Sequence, residues 1–227
     1  TSITAFGTSY NPSKDSIKLP ALQTLLTNSN NSLIAVNTAQ SSYSIAVDAR
    51  EVAFEPLGKL ITRVNSALKA SDSTVQIDES AQTIIRKLRG KRASAKLTDE
   101  EKQALEAEGK AANQISVSQM GYDTRLDNFD KLISLLSTVQ QYNPNEEDLK
   151  INSLKALYTD LKTKNTDVVT AYIQLDNARN SRNVVLYKPL TGLVDLASDS
   201  KTYIKSVFGA TSPQYKQVTK LTFISRS

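Results

Sequence analysis

The sequence predicts an all-α fold: an elongated antiparallel helical bundle built from two related helical units, with short extended termini. Three observations carry that expectation. The 227 residues include only 7 Gly and 6 Pro, too few turn formers for a sandwich or barrel, whose many tight connections require them. Apolar residues recur at helical spacing along two long stretches. The chain also aligns with itself, because a shift of 132 residues lays one of those stretches on the other without a gap. At 39% hydrophobic and 22% charged residues, the composition is that of a globular chain long enough to bury a core.

Residues 1–18 read as an N-terminal arm, with Ile3–Tyr10 extended. From Leu19 to Phe54 the positions Leu22, Leu25, Leu26, Leu33, Val36, Tyr43, Val47 and Phe54 recur at steps of three, four and seven, one face of a long helix. Pro20 suits its first turn, where a missing N–H costs nothing. Glu55-Pro56 ends or kinks it, since proline disfavours α geometry in the preceding residue. A second helical piece covers Leu57–Leu68, and Ser71–Thr74 form a loop. Asp78 and Glu79 stand ahead of a short helix at Ala81–Leu88, where acids favour the positive helix end, and Gly90 stops it.

Thr98 and Glu101 have capping-box spacing for a helix running to about Lys110, followed by a polar connection over Asn113–Met120. After Gly121, Tyr122–Gln141 carries Leu126, Phe129, Ile133, Leu136 and Val139 on one face. Asn143-Pro144-Asn145-Glu146 supplies a cap, a first-turn proline and an acid for a helix over Asp148–Tyr187. Lys188-Pro189 interrupts it, a last helix covers Leu190–Val207, Gly209 ends that helix, and Pro213 blocks its continuation. Gln217–Ile224 alternate enough to read as a short strand or extended arm within a tail at 210–227. The division expected is a first helical unit at 19–112 and a second at 113–209, one compact domain by internal duplication.

Within the 132-residue register Leu22 meets Leu154, Leu25 meets Leu157, Val36 meets Val168, Ala39 meets Ala171, and Arg50 meets Arg182. After a one-residue slip, Pro56-Leu57 falls on Pro189-Leu190 and Leu60-Ile61 on Leu193-Val194. Self-similarity at one long period argues for two helical hairpins about a pseudo-twofold. Arg50, Arg182, Pro56 and Pro189 are accordingly read as structural residues. Many Ser, Thr, Asn and Gln lie within the long helices, so tertiary packing rather than propensity must hold them.

The segments Ile115–Met120, Arg125–Leu132 and Ser206–Lys216 resemble stretches in uncharacterised α-helical proteins of Bacteroidota genomes. The resemblance covers mainly the second half and implies a helical fold and a bacterial origin. It carries no catalytic residue across.

With no Cys and no His, the chain has no disulfide, zinc finger, catalytic triad or imidazole base. The acids of Glu100-Glu101 and Glu146-Glu147-Asp148 sit where helix starts need them, and a di-metal carboxylate bundle also needs histidines. Gly90 stands alone and forms no phosphate loop. The expectation is therefore a protein that is not an enzyme, with no cofactor and no metal.

The net charge of +5 is concentrated in two acid-free stretches. One is the basic patch Arg86, Lys87, Arg89, Lys91, Arg92 and Lys96; the other is the tail from Ser200, with Lys201, Lys205, Lys216, Lys220 and Arg226. The rest of the chain is net acidic, so copies of the chain itself are the expected partner, with an acidic protein surface the next candidate. Tail residues Lys216, Lys220, Leu221 and Phe223 are the expected interaction set, because an unpaired terminal segment offers groups a neighbour can complete. The alternatives are a membrane-active helical bundle of the pore-forming-toxin kind, and non-specific nucleic-acid binding through the 86–96 loop. No signal peptide is evident from Thr1 onward, where a basic stretch and an apolar core are both missing. No window approaches the ~18 apolar residues of a membrane span.

Overall fold

Residues 3–91, 98, 100, 103, 104, 107 and 120–224 are described by the structure, a computed structural model. Among them all regular structure is helical: α1 (Leu19–Phe54), α2 (Leu57–Lys69), α3 (Val75–Leu88), α4 (Tyr122–Ser137), α5 (Ile151–Tyr187), α6 (Leu193–Phe208) and α7 (Pro213–Thr219), with 3-10 turns at Thr4–Ser9, Asp15–Ile17 and Glu147–Leu149. The fold is all-α, as the periodicity predicts. The helix expected from Thr98 to about Lys110 and the connection to Met120 lie largely outside the described residues.

Helix limits follow local chemistry, and the departures from expectation have local causes. α3 starts six residues before Ala81 because the Thr74 hydroxyl accepts from the Ile77 amide at 3.4 Å, an N-cap within the stretch expected to be loop. It ends where Gly90 takes φ +65°, a conformation that suits glycine. α6 starts at Leu193 rather than Leu190, because the chain turns through Leu190 at φ +67° and the Leu190 amide donates to Asp195 Oδ2 at 2.8 Å. Asn143–Glu146 do not cap α5; a 3-10 turn at Glu147–Leu149 intervenes and the helix begins at Ile151.

Neither terminus is extended as predicted. Thr4–Ser9 wind into 3-10 turns kinked at Gly7, with the Phe6 ring 5.4 Å from the Phe208 ring at a tilt of 53°. Pro213 begins a new helix after α6 has ended at Phe208: the Ser212 side chain caps α7 by accepting from the Tyr215 amide at 3.1 Å, with proline in the first turn. The strand expected at Gln217–Ile224 is thus helical to Thr219, and residues 220–224 lack regular structure.

The chain forms two compact units, unit 1 from Thr1–Ile45 with Thr170–Ser227 and unit 2 from Ala46–Val169. Each takes part of α1 and part of α5, so the units are not the sequential halves 19–112 and 113–209.

Unit 2 has the larger core. Leu57, Ile61, Val64 and Leu68 of α2, at the i, i+4, i+7, i+11 spacing of one helix face, are at most 1% exposed. They join Ala81, Ile85 and Leu88 of α3, Leu126, Phe129, Leu132, Ile133 and Leu136 of α4, and Leu154 and Leu161 of α5. Each such side chain contributes about 1.5–3 kcal/mol on burial, which offsets the poor propensity of the polar stretches.

Unit 1 is thinner. The start of α1 and the end of α5 run antiparallel there, with Tyr43 against Tyr172 at 6.0 Å and Arg179 donating to Gln40 at 3.0 Å. A small cluster of Tyr10, Ile204 and Val218 gathers Ile3, Phe6, Leu22 and Tyr203 around it. Where α5 buries Leu161 in unit 2, the position 132 residues earlier in α1 is Ser29, also buried but with its hydroxyl turned back to the Leu25 carbonyl at 2.7 Å. Nor do the apolar residues of α1 keep to one face. Ile34, Ile45 and Val52 are all exposed and, at ~100° per residue, lie within about 20° of one another on a second line.

Both long helices begin the same way. The Tyr10 hydroxyl donates to the Ile17 carbonyl at 2.7 Å, and the Tyr142 hydroxyl donates to the Leu149 carbonyl at 2.8 Å. Each bond bridges a Tyr-Asn-Pro stretch and a 3-10 turn, and each turn carries an ion pair at 2.6 Å, Lys18–Asp15 and Lys150–Glu147. Burial pushes both tyrosine pKa values up, that of Tyr142 to about 12. The residue pairs that the sequence singles out behave differently. Arg50 sits in a polar cluster while Arg182 reaches only the neighbouring Asn183, and Leu57 after Pro56 is buried while Leu190 after Pro189 is 76% exposed.

Candidate functional site

The C-terminal segment of unit 1 forms one wall of an open apolar groove of about 840 Å³. It is lined by Leu19, Leu22 and Leu26 of α1, Leu193, Ala197 and Ile204 of α6, Ile3 and Ala5 of the N-terminal segment, and Leu221 and Phe223. Leu26 is 57%, Leu221 53% and Phe223 40% exposed. Contiguous exposed apolar surface of this kind marks an interaction site far more often than scattered surface leucines do.

Two of the four predicted tail residues, Leu221 and Phe223, therefore line the groove, while Lys216 and Lys220 stand exposed outside its lining. The residue that organises the segment is Lys201, whose ammonium donates to the Leu221 carbonyl and sits 4.9 Å from the centre of the Phe223 ring. In the sequence Lys201 counts only as tail charge. Its one local signal is the i, i+4 spacing from Ala197, which places both on one α6 face. Lys205 lies 5.9 Å from the Tyr215 ring, and no carboxylate residue lines the groove.

The basic patch falls in unit 2 and is only partly gathered. Arg86, Arg89 and Lys91 line a groove of about 650 Å³ with Lys69, Asn65 and Glu79. Arg89 donates to the Thr62 hydroxyl at 2.7 Å, Lys87 is exposed and outside the lining, and Arg92 and Lys96 lie outside the described residues. Such a groove suits an oxyanion in charge, but no aromatic side chain lines it for base stacking.

Arg50 belongs to a third arrangement, also in unit 2. Its guanidinium stacks 3.9 Å above the Tyr122 ring and donates to Asn165 Oδ1 at 3.0 Å, while Asn165 donates to Asp123 Oδ1 at 2.7 Å. Arg125 lies 5.0 Å from the Phe54 ring, donates to the Phe54 carbonyl at 3.2 Å, and has its pKa lowered by burial. The cluster ties α1, α4 and α5 together.

Among the described residues no group of three or more acidic side chains is placed to hold a metal ion, and no helix is long and apolar enough to cross a membrane. No family model, no curated protein and no solved structure matches the chain.

Proposed function

We propose that this is a non-enzymatic structural or interaction protein that assembles with copies of itself through helix faces and the C-terminal segment. The observation that carries the reading is the unit 1 groove, in which Leu221 and Phe223 present apolar surface beside Lys201 with no acid among the described lining residues. The chain outside its two basic stretches is net acidic, so like chains are complementary in charge. Exposed apolar lines on the long helices, such as Ile34 with Ile45 on α1 and Val169 with Ile173 on α5, offer surfaces for such a groove to meet. A groove on one copy and a different face on the next make a heterologous contact, which closes into a ring or runs on as a filament.

We further infer that the two halves descend from one duplicated unit. The repeated Tyr-Asn-Pro stretch, its hydroxyl-to-carbonyl bond and the ion pair in the adjoining turn support this more strongly than the Arg50 and Arg182 match, since there the contacts recur along with the residues, whereas the two arginines have different partners.

Sedimentation velocity over a concentration series tests the assembly. The intact chain is expected to rise above its 24.9 kDa mass, and a Leu221→Asp, Phe223→Ser variant to stay monomeric with an unchanged helical circular dichroism spectrum. A wild-type chain that remains monomeric throughout overturns the proposal.

A further inference from the structure

We propose that the unit 1 groove seats a single amphipathic helix with the apolar spacing of α4, supplied by a separate polypeptide chain. The proposal rests on the groove being a binding surface, and it names what fills it.

Unit 2 contains the corresponding surface already covered. There the Glu147–Leu149 turn packs on α2, and Ile151, Leu154 and Tyr158 of α5 pack with Leu60, Val64 and Leu68 of α2 in one cluster. α3 packs against α2, α4 packs against α3, and α4 contributes Leu126, Phe129, Leu132, Ile133 and Leu136 to that cluster. In unit 1 the Asp15–Ile17 turn packs on α6 in the same way, and α7 packs on α6 as α3 does on α2.

Six of the residues lining the groove are the matching positions. At the 132-residue offset Leu19, Leu22 and Leu26 stand for Ile151, Leu154 and Tyr158; after the one-residue slip, Leu193, Ala197 and Lys201 stand for Leu60, Val64 and Leu68. In unit 2 Leu154, Val64 and Leu68 are buried, whereas in unit 1 their counterparts line open space. At the same offset the end of α4, Leu135 to Ser137, falls on Ile3, Thr4 and Ala5, which also line the groove. In unit 2 those positions belong to the cluster to which α4 contributes five buried side chains; in unit 1 no helix of the described residues takes that place.

The occupant's chemistry follows from these side chains. It needs apolar residues at i, i+3, i+6, i+7 and i+10, the spacing α4 buries. Lys201, in place of Leu68, puts a cation where unit 2 has a methyl group, so the helix that fits carries an acid on that flank. α4 itself carries Asp127 and Asp130, on a helix that presents five apolar side chains to its core.

The test uses the full chain and a labelled peptide of residues 121–138, with a scrambled peptide of equal composition as control. Fluorescence anisotropy is expected to show saturable one-to-one binding of the first only, weakened at least tenfold by Leu26→Asp, whose side chain is already exposed and whose fold is therefore safe. A second arm extends the chain by placing a copy of residues 121–132 before Thr1, which keeps the register. The extended chain should no longer bind the peptide and should melt about 5 °C higher than one with a scrambled extension. Absence of saturable binding, binding that Leu26→Asp leaves unchanged, or an extended chain that still takes up the peptide each overturns the proposal. Peptide binding by a chain that stays monomeric keeps this proposal and removes self-assembly. Self-assembly by a chain that shows no saturable peptide binding removes this proposal and keeps the other.

Discussion

Replacing Tyr142 by Phe isolates the bond that sets the start of α5. Tyr142 is 6% exposed and its hydroxyl donates to the Leu149 carbonyl at 2.8 Å. The variant keeps the ring and loses the hydroxyl, so it removes one buried hydrogen bond at a cost of about 1–3 kcal/mol. For a chain of this size each 1 kcal/mol moves Tm by about 2–4 °C, so a fall of about 2–12 °C is expected at pH 8. A second, independent signature lies in alkali. Burial raises the tyrosine pKa from 10.0 to about 12, so the folded state holds its proton more tightly than the unfolded one. That contribution is complete below pH 10 and is lost as pH rises through 12. Two pK units correspond to about 2–3 kcal/mol. Urea or thermal melts at pH 8, 10 and 11 should therefore show wild type losing stability in alkali faster than Tyr142→Phe, with the gap between them closing. A variant whose Tm lies within ~1 °C of wild type at pH 8, or whose alkaline loss matches wild type, would refute the reasoning.

Further outcomes rest on single contacts. Gly192→Ala should destabilise by about 2 kcal/mol or more, since an added Cβ would lie 2.7 Å from the Lys188 nitrogen and 2.8 Å from its carbonyl oxygen; an equal or raised Tm would contradict this. Gly58→Ala should do the opposite and stabilise by about 0.5–1 kcal/mol, because the position is helical with nothing within 4 Å of the new methyl; calorimetry on the pair distinguishes the two. Asn165→Ala should cost about 2–3 kcal/mol in urea unfolding, as it strips Arg50 and Asp123 of their shared partner. Leu190→Gly should raise Tm by a few degrees, worth about 1 kcal/mol, since Leu190 holds φ +67° with an exposed side chain; hydrogen exchange at the start of α6 would report the gain locally.

Most helices are legible in the sequence because their signals are short-range. Leu19, Phe54, Tyr187 and Gly209 bound elements where a proline, glycine or loss of stripe predicts a boundary. α3 is longer than expected because Thr74, within a polar stretch that resembles loop, has the spacing to Ile77 of an N-cap. The terminal segments mislead because alternation over Gln217–Ile224 resembles a strand, while a serine before a proline is a stronger local signal for helix. In the candidate site, Leu221 and Phe223 are recognisable as exposed apolar tail residues; Lys201 and Leu26 are not, because nothing near them in the chain says that α6 and the start of α1 bound one groove.

Local sequence suffices for the helical class, the absence of thiol and imidazole chemistry, and the ends of most helices, because propensity, capping and proline act over a few residues. Which apolar faces are covered is settled only by long-range packing. Leu154 and Leu22 occupy the same place in the 132-residue register, yet Leu154 is fully buried under the elements of unit 2 while Leu22 lines an open groove. Burial depends on which distant segments arrive to cover a face, and that is set by the sum of packing over the whole unit rather than by any stretch of chain.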